Sequence, residues 1–104
     1  GATASVRGSS GFSAFSSAKF GLRALAQSLA RELGPHGIHV VHTIIDGAID
    51  HPWLKENFPD TYKLKLVGGI LNPDLVADTY YNLHLQEKSV WTHEIDLRPY
   101  IEKF

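Results

Sequence analysis

An apolar helical period that stops and gives way to a β-branched run does most to narrow the fold. Phe15, Ala18, Leu22, Leu25, Leu29 and Leu33 recur at spacings of three and four, which is one face of a helix. Ile38-His39-Val40-Val41-His42-Thr43-Ile44-Ile45 follows with little alternation, as expected of a strand covered on both faces in a parallel sheet. A long helix feeding such a strand is an αβ unit.

The period predicts a helix over residues 12–33, with Ser10 or Ser13 as N-cap. Gly34-Pro35 should stop it, Gly34 taking the left-handed conformation and Pro35 being unable to continue. Arg23, Gln27, Arg31 and Glu32 mark the wetter side. A strand over 38–45 ends at the turn-forming Asp46-Gly47. Residues 48–70 hold Pro52 and Pro59 and no sustained period. A stretch that long is expected to be a lid enclosing a short helix near Trp53 to Phe58. Asn72-Pro73-Asp74 supplies an N-cap, a proline at the first helical position and an early acid, so a second helix is expected over 73–87. Residues 89–97 alternate, with Trp91, Ile95 and Leu97 on one side and Thr92, Glu94 and Asp96 on the other, the carboxylates reading as a solvated edge. Helices alternating with strands favour a parallel sheet flanked by helices in a single α/β domain.

Charge and composition exclude several functions. Ten Lys and Arg against eleven Asp and Glu leave a net charge of -1, so nucleic acid and anionic membrane surfaces are not expected partners. The chain has no cysteine, which removes disulfides, thiolate catalysis and cysteine-ligated zinc; cytoplasm is the expected compartment. No apolar run approaches the roughly 20 residues of a membrane span. His39 and His42 are three apart on one strand and point to opposite faces, so no metal site is expected of them. Methionine is missing throughout, position 1 included, as expected of a processed N-terminus or, more simply, of a piece of a longer protein.

Gly1-Ala2-Thr3-Ala4-Ser5, the glycine- and serine-containing loop after it, Phe12-Ser13-Ala14-Phe15-Ser16-Ser17-Ala18-Lys19 and the strand opened by Gly37-Ile38 resemble the second half of the short-chain dehydrogenases/reductases. The resemblance covers nearly the whole chain. It implies the C-terminal part of a Rossmann-type doubly wound parallel sheet with flanking helices, and an NAD- or NADP-dependent oxidoreductase of an alcohol or carbonyl. In that family a helix carries Tyr-x-x-x-Lys. Residues four apart share a helix face, so hydroxyl and ammonium enter one cleft, the tyrosine exchanging a proton with the substrate oxygen while a serine hydrogen-bonds that oxygen.

Carried over by position, Lys19 is the family lysine and Phe15 stands at the tyrosine position without a hydroxyl. Counting back to the serine position lands near Ala2 and Thr3, so Thr3 or Ser5 is the candidate hydroxyl for a substrate oxygen. Asp46-Gly47 replaces the family's Pro-Gly turn. Lys19, Asp46, Gly47 and Ile49 are the expected contacts of the nicotinamide end, while the family's glycine-rich phosphate loop is absent from this chain. Trp53 and Phe58 are the candidate substrate lid, either lining a pocket or packing onto the core. Phe15 itself is expected to be a core aromatic. The resemblance also implies a homo-oligomer formed through the long helix. Three functions remain open: an oxidoreductase with a nonstandard proton donor, a non-catalytic relative used for cofactor binding or dimerisation, and a small αβ interaction domain.

Overall fold

The computed structural model describes all 104 residues. Helix α1 spans Ser13–Leu33, strand β1 His42–Ile45, helices α2 Pro52–Asn57 and α3 Pro59–Tyr62, helix α4 Pro73–His84 and strand β2 Glu94–Leu97. β1 and β2 pair in parallel, His42 opposite Glu94 through to Ile45 opposite Leu97. Ala2 bridges Ile45 in parallel on the other edge of β1. The amide directions explain this placement: Asp46 N–H donates to Leu97 O at 2.9 Å and Ile45 N–H to Gly1 O at 3.2 Å. Successive amides of a strand point to opposite sides, so β1 lies between the segment at Ala2 and β2.

Local chemistry accounts for most element boundaries, with some departures from expectation. Phe12 rather than a serine occupies the N-cap of α1 and provides no side-chain bond, Ser13 being already helical. Gly34 stays right-handed and opens a 3₁₀ turn, Gly34–His36; the left-handed residue is Gly37, with φ of 80°. Asn72 caps α4, its side chain accepting from the amides of Asp74 and Leu75. The regular part of the first strand is shorter than its β-branched run, His42–Ile45, and a 3₁₀ turn at Lys88–Val90 stands where the start of the last strand is expected.

The packed face of α1 is not the one its apolar period predicts. Ser16 and Ala26 are the buried residues of the helix, whereas Phe15, Leu22 and Leu25 are 48%, 42% and 53% exposed. Arg23, assigned to the wet side, turns inward to Glu94. The reason is small-residue packing combined with charge pairing: Ser16 is buried with its hydroxyl toward Arg7 O, Ala26 is buried farther along, and Arg23 reaches a carboxylate on β2. The bulky face therefore points away from this sheet. Fourteen of the 104 residues are buried, with Ala4, Ala26, Ile44, Leu54, Ile70, Leu71 and Leu83 as the apolar core. The radius of gyration, 15.5 Å, exceeds the roughly 13 Å of a compact domain of this length. No helix is long and apolar enough to cross a membrane.

Candidate active site

The carboxyl end of β1, the segment at Ala2 and the first turns of α1 enclose a cavity of about 430 Å³ whose walls include Ala2, Thr3, Phe12, Phe15, Ser16, Asp46 and Gly47. Crevices at the carboxyl ends of parallel strands are where open α/β sheets bind ligands. Asp46 is buried and anchored twice. The Thr3 hydroxyl donates to its Oδ1, and Arg98 Nη1 lies 2.8 Å from its Oδ2. That second contact is misaligned for a hydrogen bond, so it acts as a charge pair. Arg98 also pairs with Asp96, and its guanidinium sits 3.6 Å from the centre of the Phe104 ring. The Asp96 hydrogen bond chiefly raises the Arg98 pKa, with the charges of Asp46 and Glu102 adding to it.

Gly47 makes the turn that brings Asp46 to the cavity. Its φ is 144°, a backbone that side-chain-bearing residues avoid, and a β-carbon there would lie 2.8 Å from Pro99 Cδ.

Of the two candidate hydroxyls, Ser5 is withdrawn. It is fully buried, and its oxygen accepts the Ala2 amide at 2.9 Å. Thr3 is half-buried and faces the cavity. Phe15 is not the core aromatic expected: nearly half exposed, its ring forms part of the cavity wall. Lys19 Nζ lies 5.6 Å from the Phe15 ring centre, an attractive cation–π placement, and Lys19 is not itself in the wall.

Ile49, Trp53 and Phe58 line a second, more apolar cavity of about 670 Å³ with His51 and Leu54. Gly47 and Ala48 belong to both cavities, so the two adjoin. Trp53 and Phe58, with ring centres 5.6 Å apart, are 57% and 52% exposed, so they stand over this cleft and are not packed on the core. The excursion carrying them is closed at its base by a bridge between Ile49 and Leu71 and by the Lys65–Asp50 ion pair at 2.7 Å. Arg7, Ser9, Glu102 and Arg98 complete the surroundings of Thr3 and Asp46. Nothing in their local sequence marks them, because they arrive from loops and from the tail.

Other candidate groups lie elsewhere. His39 stacks on Trp91 and contacts Thr92 O at 2.7 Å, whereas His42 Nδ1 lies 3.1 Å from Glu94 Oε2. Glu94 is thus a structural anchor, where the alternation predicted a solvated edge.

Residues 1–61 match the sequence profile of the family described as short chain dehydrogenase. The chain belongs to the short-chain dehydrogenase family. A crystal structure of a short-chain dehydrogenase from Rhodopseudomonas palustris is 50% identical, with a TM-score of 0.69 over 96% of this chain and 36% of that one. The chain therefore spans just over a third of that relative's length. No curated protein matches it. The parallel sheet with flanking helices is part of the Rossmann-type fold of these oxidoreductases.

Proposed function

We propose that this chain is the substrate-side segment of an NAD- or NADP-dependent oxidoreductase acting on a small alcohol or carbonyl compound. The observation that carries the reading is convergence: Thr3, Phe15, Asp46 and Gly47, far apart in sequence, wall one cavity, and the apolar cleft of Ile49, Trp53 and Phe58 adjoins it at Gly47 and Ala48. A polar end for a reacting oxygen and an apolar end for the rest of the molecule suit a small organic substrate.

The cavity also suits the nicotinamide end of a dinucleotide. Gly47 leaves the backbone bare at its wall, and Lys19 beside the Phe15 ring supplies a cation for a ribose hydroxyl. Asp46 contributes through Thr3 and Arg98, since both of its oxygens are already engaged. When bound, a nicotinamide supplies the hydride acceptor or donor. The phosphates need a glycine-rich loop and helix N-terminus that residues 1–104 do not provide.

One observation favours the second reading, a non-catalytic relative: Phe15 has no hydroxyl, and a missing general acid costs about a hundred- to ten-thousandfold in rate. The exposed apolar face of α1, with Phe15, Leu22 and Leu25, supports a homo-oligomer formed through that helix.

The test is reduced-cofactor oxidation and oxidised-cofactor reduction by the intact gene product over matched carbonyl and alcohol panels, alongside cofactor binding by fluorescence. Turnover in either direction is the expected result. Tight cofactor binding without turnover would replace this reading by the non-catalytic one.

A further inference from the structure

A further cavity, of about 290 Å³, lies at the end of the sheet opposite the candidate active site, where the last turns of α1 meet the residues leading into β1 and β2. Gln27 and Arg31, four apart on one face of α1, line it together with His39, Trp91 and His93. The aromatic wall is held in place before any ligand arrives. The His39 and Trp91 rings stack with centres 4.5 Å apart and planes 4° apart. Each ring is pinned by a bond of its own, His39 Nε2 donating to Thr92 O at 2.7 Å and Trp91 Nε1 to Gln86 O at 3.3 Å. Gln86 also accepts from the Thr92 amide and donates to the Thr92 hydroxyl, both at 2.8 Å.

The charge around this cavity has one sign. No carboxylate lines it, while Arg31 and His93 are exposed at its rim. Lys88 Nζ comes within 3.1 Å of where a β-carbon on Gly37 would stand, beside Ile38 of the wall. Neither Arg31 nor Lys88 pairs with a carboxylate. The carbonyl end of α1 carries about half a negative charge, less than the full positive charge of Arg31 in its last turn. The balance favours an anion.

We infer that this cavity is a binding site for a small aromatic carboxylate, its ring against the wall of Trp91 and His39 and its carboxylate on the Arg31 guanidinium. A ring placed on that wall gains the attraction of aromatic pairs, and guanidinium on carboxylate forms two parallel hydrogen bonds. Gln27, one turn before Arg31, supplies a further amide donor. A volume of about 290 Å³ is at the small end for ligand sites, enough for one ring with its carboxylate and too small for a dinucleotide. The site shares no residue with the cavities of Phe15 and Trp53 and does not depend on the oxidoreductase reading.

Benzoate is the probe, titrated by NMR into the intact, isotope-labelled protein without cofactor. Trp91 reports this cavity and Trp53 the apolar cleft, so their indole N–H signals, assigned with Trp91→Phe and Trp53→Phe, tell the two sites apart. The Trp91 signal should shift with half-saturation below about 1 mM, a modest affinity for so small a ligand. Benzamide, which lacks the charge, should bind about tenfold more weakly, and cyclohexanecarboxylate, which lacks the aromatic ring, about threefold more weakly. Arg31→Gln, at an exposed position, should weaken benzoate about tenfold with its thermal unfolding midpoint unchanged, and Trp53→Phe should bind benzoate as the wild type does. No Trp91 shift at millimolar benzoate, a shift confined to Trp53, or benzoate affinity that survives in Arg31→Gln overturns the site. Benzamide binding as tightly as benzoate overturns the anion preference, and cyclohexanecarboxylate binding as tightly overturns the aromatic one. A protein that binds benzoate at Trp91 yet turns over no alcohol or carbonyl leaves this site standing and counts against the oxidoreductase reading alone.

Discussion

Arg23 on α1 grips Glu94 on β2 through two hydrogen bonds of 2.8 Å, one from Nε and one from Nη2, across 71 residues of sequence. The pairing is planar guanidinium on carboxylate, the geometry in which an ion pair gains most. Glu94 also accepts from His42 on the neighbouring strand at 3.1 Å. One carboxylate therefore joins the long helix to both strands and fixes how α1 is rotated over the sheet. Phe15 reaches the cavity wall as a consequence.

Removing the guanidinium should loosen that rotation. Arg23→Ala in the intact protein is expected to lower unfolding free energy by about 1–3 kcal/mol, the range for charge-assisted hydrogen bonds whose loss strands a partner. Chemical denaturation measures it, and a change within about 0.3 kcal/mol would show that the pair contributes little.

The same pair sets an acid limb. The Glu94 pKa is lowered from the ordinary 4.5, chiefly by the Arg23 hydrogen bond, against an opposing effect of burial and with His42 adding to the lowering. A carboxylate with a depressed folded-state pKa contributes stability that is fully present above its unfolded value and is lost as pH falls through the folded value. Stability should decline below pH 4.5 in the wild type, and Glu94→Gln should flatten that part of the profile. Thermal midpoints collected from pH 7 down to about pH 3 compare the two.

Phe15→Tyr restores a hydroxyl at the cavity wall. Because the ring is 48% exposed, stability should change by no more than about 0.5 kcal/mol. Carbonyl reduction should rise about a hundredfold or more if proton donation is what the cavity lacks. Steady-state kinetics on matched carbonyl and alcohol panels reads both directions.

Gly47→Ala tests the turn that presents Asp46. With φ of 144° and a new β-carbon 2.8 Å from Pro99 Cδ, the substitution should cost about 1–3 kcal/mol and displace the tail from the cavity. Proteolytic cleavage near Pro99 should accelerate in the variant, and an unchanged cleavage rate would show that the tail tolerates the shift.

The apolar face of α1 predicts association. Leu25→Asp, at a site 53% exposed, should leave the fold intact and weaken self-association of the intact protein in light scattering, because it puts a charge where the proposed partner helix packs. A wild type that is monomeric at high concentration would sink this idea.

Features set by neighbouring residues were legible in the sequence. The three-and-four spacing produces α1, Asn72-Pro73 starts α4, Asp46-Gly47 ends β1, and the Phe15-to-Lys19 spacing with its surroundings points to the family. All depend on backbone hydrogen bonds and side-chain directions within a few residues, which local sequence controls. The tertiary structure decided which face of α1 packs, which hydroxyl reaches the cavity and what holds Asp46. Arg23 meets Glu94, Thr3 meets Asp46 and Arg98 meets Asp46 only because β1 lies between the segment at Ala2 and β2. An apolar period says that a helix has a face to cover but not what covers it. On α1, small residues and one charge pair seat the helix on this sheet, and its larger apolar face is left outward.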